Sequence, residues 1–304
     1  MKREIALVAV LLVVASAACE VPGTASPTPF EFPTPNLTLT AIYAPTGSPT
    51  PQAPTDTPEP TDSAGPTATA TTGSNGGAPT ATASDPDTRP NGSPITAPQI
   101  GSAPTIDGSL GEWPDQRHAL NEVVFGADSW SGGDDLSGSY AVLWDTANLY
   151  LAVEVNDDTF AQAASGRRLF QGDSAEILLD EALTADFNSS TLSNDDFQIG
   201  LSPGNFDGLE PEAYRWFPRS VEGRLTTTVV AATSSASGYI LEAKIPWIVF
   251  GVEPSLGARY GFVVSLSDND RPGVVVQQSM VSSVRTRTLT DPTTWGTLVL
   301  GSGD

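Results

Sequence analysis

Six tryptophans, Trp113, Trp130, Trp144, Trp216, Trp247 and Trp295, stand in the C-terminal two thirds of the 304-residue chain, joined by Phe170 and Tyr214. Aromatic rings stack on the C–H faces of a sugar, while carboxylates and amides pair with its hydroxyl rim in a concave, largely preformed site. The polar sides of alternating runs supply Glu154, Glu176, Gln198 and Arg215 for the second task. Trp113, Trp144 and Trp295 are expected in the core or at its rims, whereas Trp130, Trp216 and Phe170 stand among loop residues, free for contact. A second chemistry comes from acidic strand ends: Asp157-Asp158, Asp195-Asp196, and Asp268-Asn269-Asp270 ahead of Arg271-Pro272-Gly273. Clustered carboxylate and amide oxygens suit Ca²⁺, which makes Asp268 and Asp270 candidate ligands of a structural calcium ion. The alternative, acidic residues that only cap strand ends, stays open.

Other chemistries find less material. The net charge of −22 argues against nucleic acid, whose phosphates need clustered Lys and Arg. The one histidine, His118, lies in a polar stretch, so a triad that needs His between a nucleophile and a carboxylate is not expected. Carboxylate pairs of the glycosidase type cannot be judged by inventory, because acidic residues are too abundant for a pair to be informative. No catalytic residue is assigned. The single cysteine, Cys19, forbids an intramolecular disulfide.

These side chains need strands to place them. From Ala141 to Asp180 the chain holds three strand-like runs. Leu149, Leu151, Val153 and Val155 share one face of the middle run, and Ala175, Ile177 and Leu179 one face of the third. The runs are read as one sheet that presents the ligand. Further runs at 197–201, 225–232, 239–245, 259–267 and 295–300, with a weaker one at 274–281, are separated by Gly- and Pro-rich turns. Many short strands without a long helical period predict an all-β, antiparallel β-sandwich.

The N-terminal third is different material. Lys2 and Arg3, an apolar run over 5–14 and Ala15-Ser16-Ala17-Ala18 have the layout of a secretory signal peptide, residues 1–18. With Cys19 next, the stretch resembles a bacterial lipoprotein signal, which implies a lipid on Cys19 at the outer face of the membrane; free secretion is the alternative. Residues 19–98 carry seventeen of the 26 prolines and few large apolar side chains. They read as a disordered Pro/Thr-rich stalk, extended at about 3.1 Å per residue and thus on the order of 200 Å long.

Residues 99–304 are read as the folded domain, and here the blocks form a family pattern. Ile106-Asp107-Gly108-Ser109-Leu110-Gly111-Glu112-Trp113, then Leu143-Trp144-Asp145 through Val155-Asn156-Asp157-Asp158, then Gly172-Asp173-Ser174-Ala175-Glu176-Ile177 resemble carbohydrate-binding module family 9. The order continues through Ile245-Pro246-Trp247 and Gly261-Phe262 to Trp295-Gly296-Thr297-Leu298. The resemblance implies a jelly-roll-like sandwich that grips the end of a sugar chain between two rings, without catalysis, and supports polysaccharide catabolism by a separate glycoside hydrolase. It implies that Glu176 bonds sugar hydroxyls, that Gln198 stands where a polar contact occurs, and that Phe170 is one ring. The second ring is implied just before Asp291-Pro292, where this sequence has Leu289; Trp295 or Trp216 would have to replace it. The expectation is an extracellular, monomeric carbohydrate-binding module, with Glu154 as a further polar contact. The alternative is a structural or protein-interaction sandwich that has lost sugar binding.

Overall fold

The computed structural model describes residues 87–303, so the signal, Cys19 and most of the Pro/Thr-rich stretch lie outside the described residues. The strands run β1 Ile95–Pro98, β2 His118–Leu120, β3 Glu122–Phe125, β4 Leu136–Trp144, β5 Asn148–Asp157, β6 Ser174–Asp180 and β7 Asp196–Ser202. They continue as β8 Glu212–Phe217, β9 Gly223–Arg224, β10 Val229–Ser235, β11 Gly238–Pro246, β12 Arg259–Asp268, β13 Ser279–Ser282 and β14 Gly296–Gly301. Between them are 3₁₀ segments of three to six residues, and no helix among the described residues is long and apolar enough to cross a membrane.

Two sheets form. The first has nine strands in the order β1-β14-β12-β6-β7-β8-β9, with β13 on β12 and β3 on β13; the second has five, β10-β11-β5-β4-β2. Every pairing is antiparallel except that of β1 with β14. Period-two alternation decides what lies between the sheets. Leu149, Leu151, Val153 and Val155 of β5 meet Ala175, Ile177 and Leu179 of β6 and Tyr260, Phe262, Val264 and Leu266 of β12 in one buried cluster. This is the expected β-sandwich.

The three runs between Ala141 and Asp180 nevertheless do not form one sheet. β4 and β5 are a hairpin of the five-stranded sheet, whereas β6 pairs with β7 and β12 in the nine-stranded one. The chain between β5 and β6 crosses from one layer to the other. The run read over 225–232 is strand only in its second half: 225–228 form the turn after β9, and β10 starts at Val229. Trp216, read as a loop residue, lies on β8, and His118 on β2.

The fold starts before residue 99. Strand β1 was read as stalk, yet Ile95–Pro98 pairs with Leu298–Gly301. Ahead of it, Arg89 is 1 % exposed and holds Asp180 Oδ2 at 2.9 Å. Thr297 Oγ1 accepts the Arg89 N–H at 2.9 Å. A Pro-rich composition had hidden a strand that adds itself to a sheet edge, where proline at the last position loses no needed donor.

The block around Ile106–Trp113 proves to be a latch. Glu242 of β11 is fully buried and accepts the backbone N–H groups of Asp107 at 2.8 Å, Gly108 at 2.5 Å and Ser109 at 3.2 Å, and the indole N–H of Trp113. Trp113 then packs with Leu143, Tyr150 and Ala152 on the outer side of the five-stranded sheet. Gly108 has φ +83°, and a Cβ there would stand 2.3 Å from Thr233 Oγ1. Only glycine permits that approach.

Candidate functional site

A cavity of about 740 Å³ lies on the outer face of the nine-stranded sheet. It is built by neighbouring strands whose side chains alternate. Ala175 and Ile177 of β6 enter the core, so Glu176 faces the other way; across the β6–β7 pair, Ile199 enters the core while Gln198 faces the cavity. Gln198 Nε2 donates to Glu176 Oε2 at 2.7 Å. Arg287, from the segment after β13, takes the other carboxylate oxygen, Oε1. Glu176 and Arg287 are 5 % and 8 % exposed. The carboxylate is thus fixed from both sides, and about two of its roughly four lone-pair positions are left for hydroxyl donors.

The aromatic wall depends on an absent side chain. Residue 200 on β7, opposite Glu176, is glycine, and a Cβ there would be 2.2 Å from Trp216 Cη2 and 2.6 Å from Leu169 Cδ1. Trp216 therefore packs directly over Gly200, 5 % exposed, with its indole N–H donated to Arg167 O at 2.9 Å. Phe170, on the 3₁₀ turn Gly166–Gln171, stands edge-on to it at 5.8 Å and 82°. Edge-to-face contact holds such a ring in place while leaving a face open. Trp216 is the support and Phe170 the available ring.

The structure also supplies a ring that the sequence reading missed. Phe125 ends β3, lines the same cavity and is 51 % exposed. It arrives through pairing of β3 with β13, where it sits opposite Met280. Gly126 then turns the chain at φ +65°, within a distance of Gln278 O that no Cβ could tolerate. Leu289 lines the cavity too, at the place where a ring was implied. Trp295 does not replace it: it is 0 % exposed, packed with Leu178, Val263 and Val284. An apolar triplet ahead of a glycine, Val123-Val124-Phe125-Gly126, was the available signal for Phe125.

Phe170, Glu176, Gln198 and Trp216 are therefore brought together. Glu154 is not. It is exposed on β5, and since Val153 and Val155 fill the core it faces the outer side of the five-stranded sheet, across the sandwich from Glu176. Arg215 turns to the β9 side and donates to Val221 O and Val249 O. Trp130 is spent on packing, with its indole N–H on Leu136 O at 2.9 Å. Among the described residues that line the cavity there is no serine, cysteine or histidine. Gly200-Leu201-Ser202-Pro203-Gly204 has the spacing of a nucleophile elbow, but Ser202 is fully buried on β7, its Oγ accepts Gly204 N–H at 3.2 Å, and His118 belongs to the other sheet.

The acidic strand ends do converge. Carboxylate oxygens of Asp157, Asp268 and Asp270 lie within 4.8 Å of one another, as do those of Asp135, Asp158 and Asp270. Asp268 is fully buried; its Oδ2 accepts from Ser279 at 2.8 Å, while Oδ1 has no partner, and Asp157 Oδ2 is likewise buried and unpartnered. Burial first, then mutual repulsion, pushes Asp157 up to about 6 and Asp268 up to about 7. Hard oxygen donors without hydrogen-bond partners are what Ca²⁺ coordination requires. A separate group, Asp180, Asp186 and Asp195, already contains the positive charge of Arg89.

A β-sandwich with an open cavity of rings and a pre-oriented carboxylate on its outer sheet face is the architecture of a ligand-binding module. Residues 106–302 match the family described as carbohydrate family 9 binding domain-like, and the chain belongs to that family. Its fold is similar to that of a family 9 carbohydrate-binding module from Caldicellulosiruptor kristjanssonii, solved with cellotriose. The two are 21 % identical with a TM-score of 0.53, covering 70 % of this chain and 95 % of that one. The glucose complex of such a module from the same organism gives 20 % identity and the same TM-score, over 70 % and 97 %. Among curated proteins, exoglucanase XynX of Acetivibrio thermocellus is 25 % identical over 180 residues, which are 59 % of this chain and 14 % of that protein. Endo-1,4-beta-xylanase A of Thermoanaerobacterium saccharolyticum is 23 % identical over 59 % of this chain and 13 % of its own length. The chain thus spans about one seventh of the length of the curated relatives it matches.

Proposed function

We propose that the domain is a non-catalytic carbohydrate-binding module whose site is the cavity on the nine-stranded sheet. One observation carries the reading: Phe170 and Phe125, the rings, and Glu176 and Gln198, the hydroxyl partners, line the same solvent-open cavity. Phe125 takes the stacking role that Leu289 cannot. Glu176 accepts sugar hydroxyls with its orientation set in advance by Gln198 and Arg287, so little ordering cost falls on binding. The complexes of the family 9 modules with cellotriose and glucose support a poly- or oligosaccharide as ligand. The hydrolase relatives support a role beside a separate glycoside hydrolase in polysaccharide catabolism. The protein-interaction alternative would gain from a face filled by loops, and this face is open.

The reading extends to placement and to the ion. The layout of residues 1–19 supports display outside a bacterial cell through a lipid on Cys19, as a monomer held by the Pro/Thr-rich stretch. Asp157, Asp268 and Asp270, with Asp135 and Asp158 beside them, would hold a structural Ca²⁺; three unpartnered buried oxygens, one on each of the first three, favour it. The test is a glycan-panel binding assay on the full chain beside a Phe170→Ala variant. Binding that this substitution abolishes is expected; binding indifferent to it would remove the cavity from the function.

A further inference from the structure

The cavity is basic in an acidic protein. Residues 87–304 carry twelve Lys and Arg against 29 Asp and Glu, yet four of the twelve, Arg167, Arg168, Arg219 and Arg287, line this one cavity. A single carboxylate, Glu176, lines it with them. Each guanidinium can be accounted for. Arg287 is spent on Glu176. Arg167 Nε and Arg219 Nη1 share one carboxylate, Glu222, each at 3.0 Å, and both arginines remain mostly exposed, at 67 % and 60 %. Arg168 gives Nε to the neutral amide of Gln171 at 2.8 Å and has no carboxylate partner among the described residues. Four guanidinium groups thus face two carboxylates. The surplus is two positive charges at the mouth, on the 3₁₀ turn that also carries Phe170 and on the turn that follows β8.

A neutral sugar finds partners for its hydroxyls in Glu176 and Gln198, and any hydroxyl that accepts from the arginines leaves their surplus charge uncompensated. A carboxylate or sulfate has a specific use: guanidinium groups bind planar oxyanions with paired, charge-assisted hydrogen bonds, and Arg holds such geometry with little reorganisation. Against a surface of net negative charge, a basic concavity also focuses the field on anions and draws them in. Resting on the carbohydrate-binding reading above, we infer that the preferred ligand is an anionic glycan. Its sugar ring lies at Phe170, with its acidic group, a uronic carboxylate or a sulfate ester, on Arg168 and the exposed sides of Arg167 and Arg219.

The experiment is calorimetry of the full chain with an oligouronide, with the same oligosaccharide methyl-esterified to neutrality, and with a sulfated neutral oligosaccharide. At about 0.1 M salt, where screening sets in near 10 Å, the acid is expected to bind about tenfold tighter than its ester, the worth of one charge-assisted hydrogen bond. At about 1 M salt, with screening near 3 Å, the ratio should shrink several-fold. Arg168→Gln should bring the ratio of acid to ester affinity toward one, while Lys244→Gln, which removes the same charge from the other sheet, should leave it alone. The tighter of the uronide and sulfate arms identifies the anion. Equal binding of acid and ester at low salt overturns the inference and leaves the carbohydrate-binding reading standing; absence of binding to all three overturns both. The salt response of the unmodified chain decides the matter even if Arg168→Gln does not fold.

Discussion

Gln198 and Arg287 hold the two oxygens of one carboxylate, Glu176, from opposite sides, although Arg287 is 111 residues away in sequence. Both charged partners are more than nine tenths buried. Glu176→Gln should therefore weaken glycan binding about tenfold or more, from loss of a charge-assisted contact. It should also cost on the order of 3 kcal/mol in stability, because Arg287 is left without its counter-charge. Glu154→Gln, on the far face, should change neither. Titration calorimetry and urea unfolding on both variants separate the two effects, and equal sensitivity of the two positions would move the contact to the other sheet.

Phe125 is half exposed, so its ring contributes little to the core. Phe125→Ala should leave stability within about 0.5 kcal/mol. It should weaken glycan binding by about 0.5–1.5 kcal/mol beyond the lost contact area. Leu289→Ala, by contrast, removes a side chain packed beside Trp295 and should act mainly on the melting temperature. If Phe125→Ala leaves affinity unchanged, the second ring is not Phe125.

Glu242 satisfies three backbone donors and one indole in a site closed to water. Glu242→Ala should strand all four and cost about 3 kcal/mol or more. Glu242→Gln keeps one acceptor oxygen and should cost less. Equilibrium unfolding measures both, and glycan affinity at temperatures where the variants stay folded should be unaffected, since the latch belongs to the other sheet. A Glu242→Ala protein as stable as the parent would remove the latch from the stability argument.

The one oxygen of Asp157 and the one of Asp268 that lack partners should gain one in Ca²⁺. A hundredfold excess of calcium over its dissociation constant adds about 2.7 kcal/mol, or about 5–10 °C in melting temperature for a domain of this size. A chelator should reverse the gain, and Asp268→Asn should abolish it. Thermal melts that ignore calcium would leave the cluster as strand-end capping.

Acid should stabilise the domain in the presence of chelator. Burial raises Asp180 from 3.8 to about 6 and Asp196 from 3.8 to about 7; for Asp180 the bond from Arg89 offsets part of the rise. The folded state keeps these protons to higher pH than the unfolded chain does, so stability falls as pH rises from about 4 to about 7. The melting temperature near pH 5 should exceed that near pH 7.5 by a few degrees, at about 2–4 °C per kcal/mol. A rise across the same window would mean that Asp180 and Asp196 ionise freely in the fold.

What the sequence could show followed the length of the alternating runs. β5 keeps its period over ten residues, and its core face, Leu149 to Val155, was legible at once. Glu176 was legible for the same reason. Strand β8 was not, because its pattern is inverted: Trp216 sits on the cavity side, while Ala213 and Arg215 occupy the side where large apolar residues would mark a core. A bulge opposite, between Gln198 and Ile199, disturbs the register further. Glu154 was misplaced because alternation tells that two residues share a face, not which layer the strand joins. Phe125 and Arg287 reach the cavity only through β13 and the segment beyond it, long-range contacts that leave no local trace. The Asp cluster was visible as acidic strand ends, but that Asp157 and Asp268 meet depends on the crossing between layers.

Strand β1 has a mechanical consequence. A pull on the chain ahead of Arg89 meets the Arg89–Asp180 ion pair first and then the hydrogen bonds of β1 to β14, which lie side by side and in parallel. Load enters the nine-stranded sheet at two places, directly on β6, the strand that carries Glu176, through Asp180, and at the edge through β14 and β12. Tension on the N-terminal side is thus carried by the sheet that forms the cavity floor, while the turns bearing Phe170 and Arg168 stay outside the line of force.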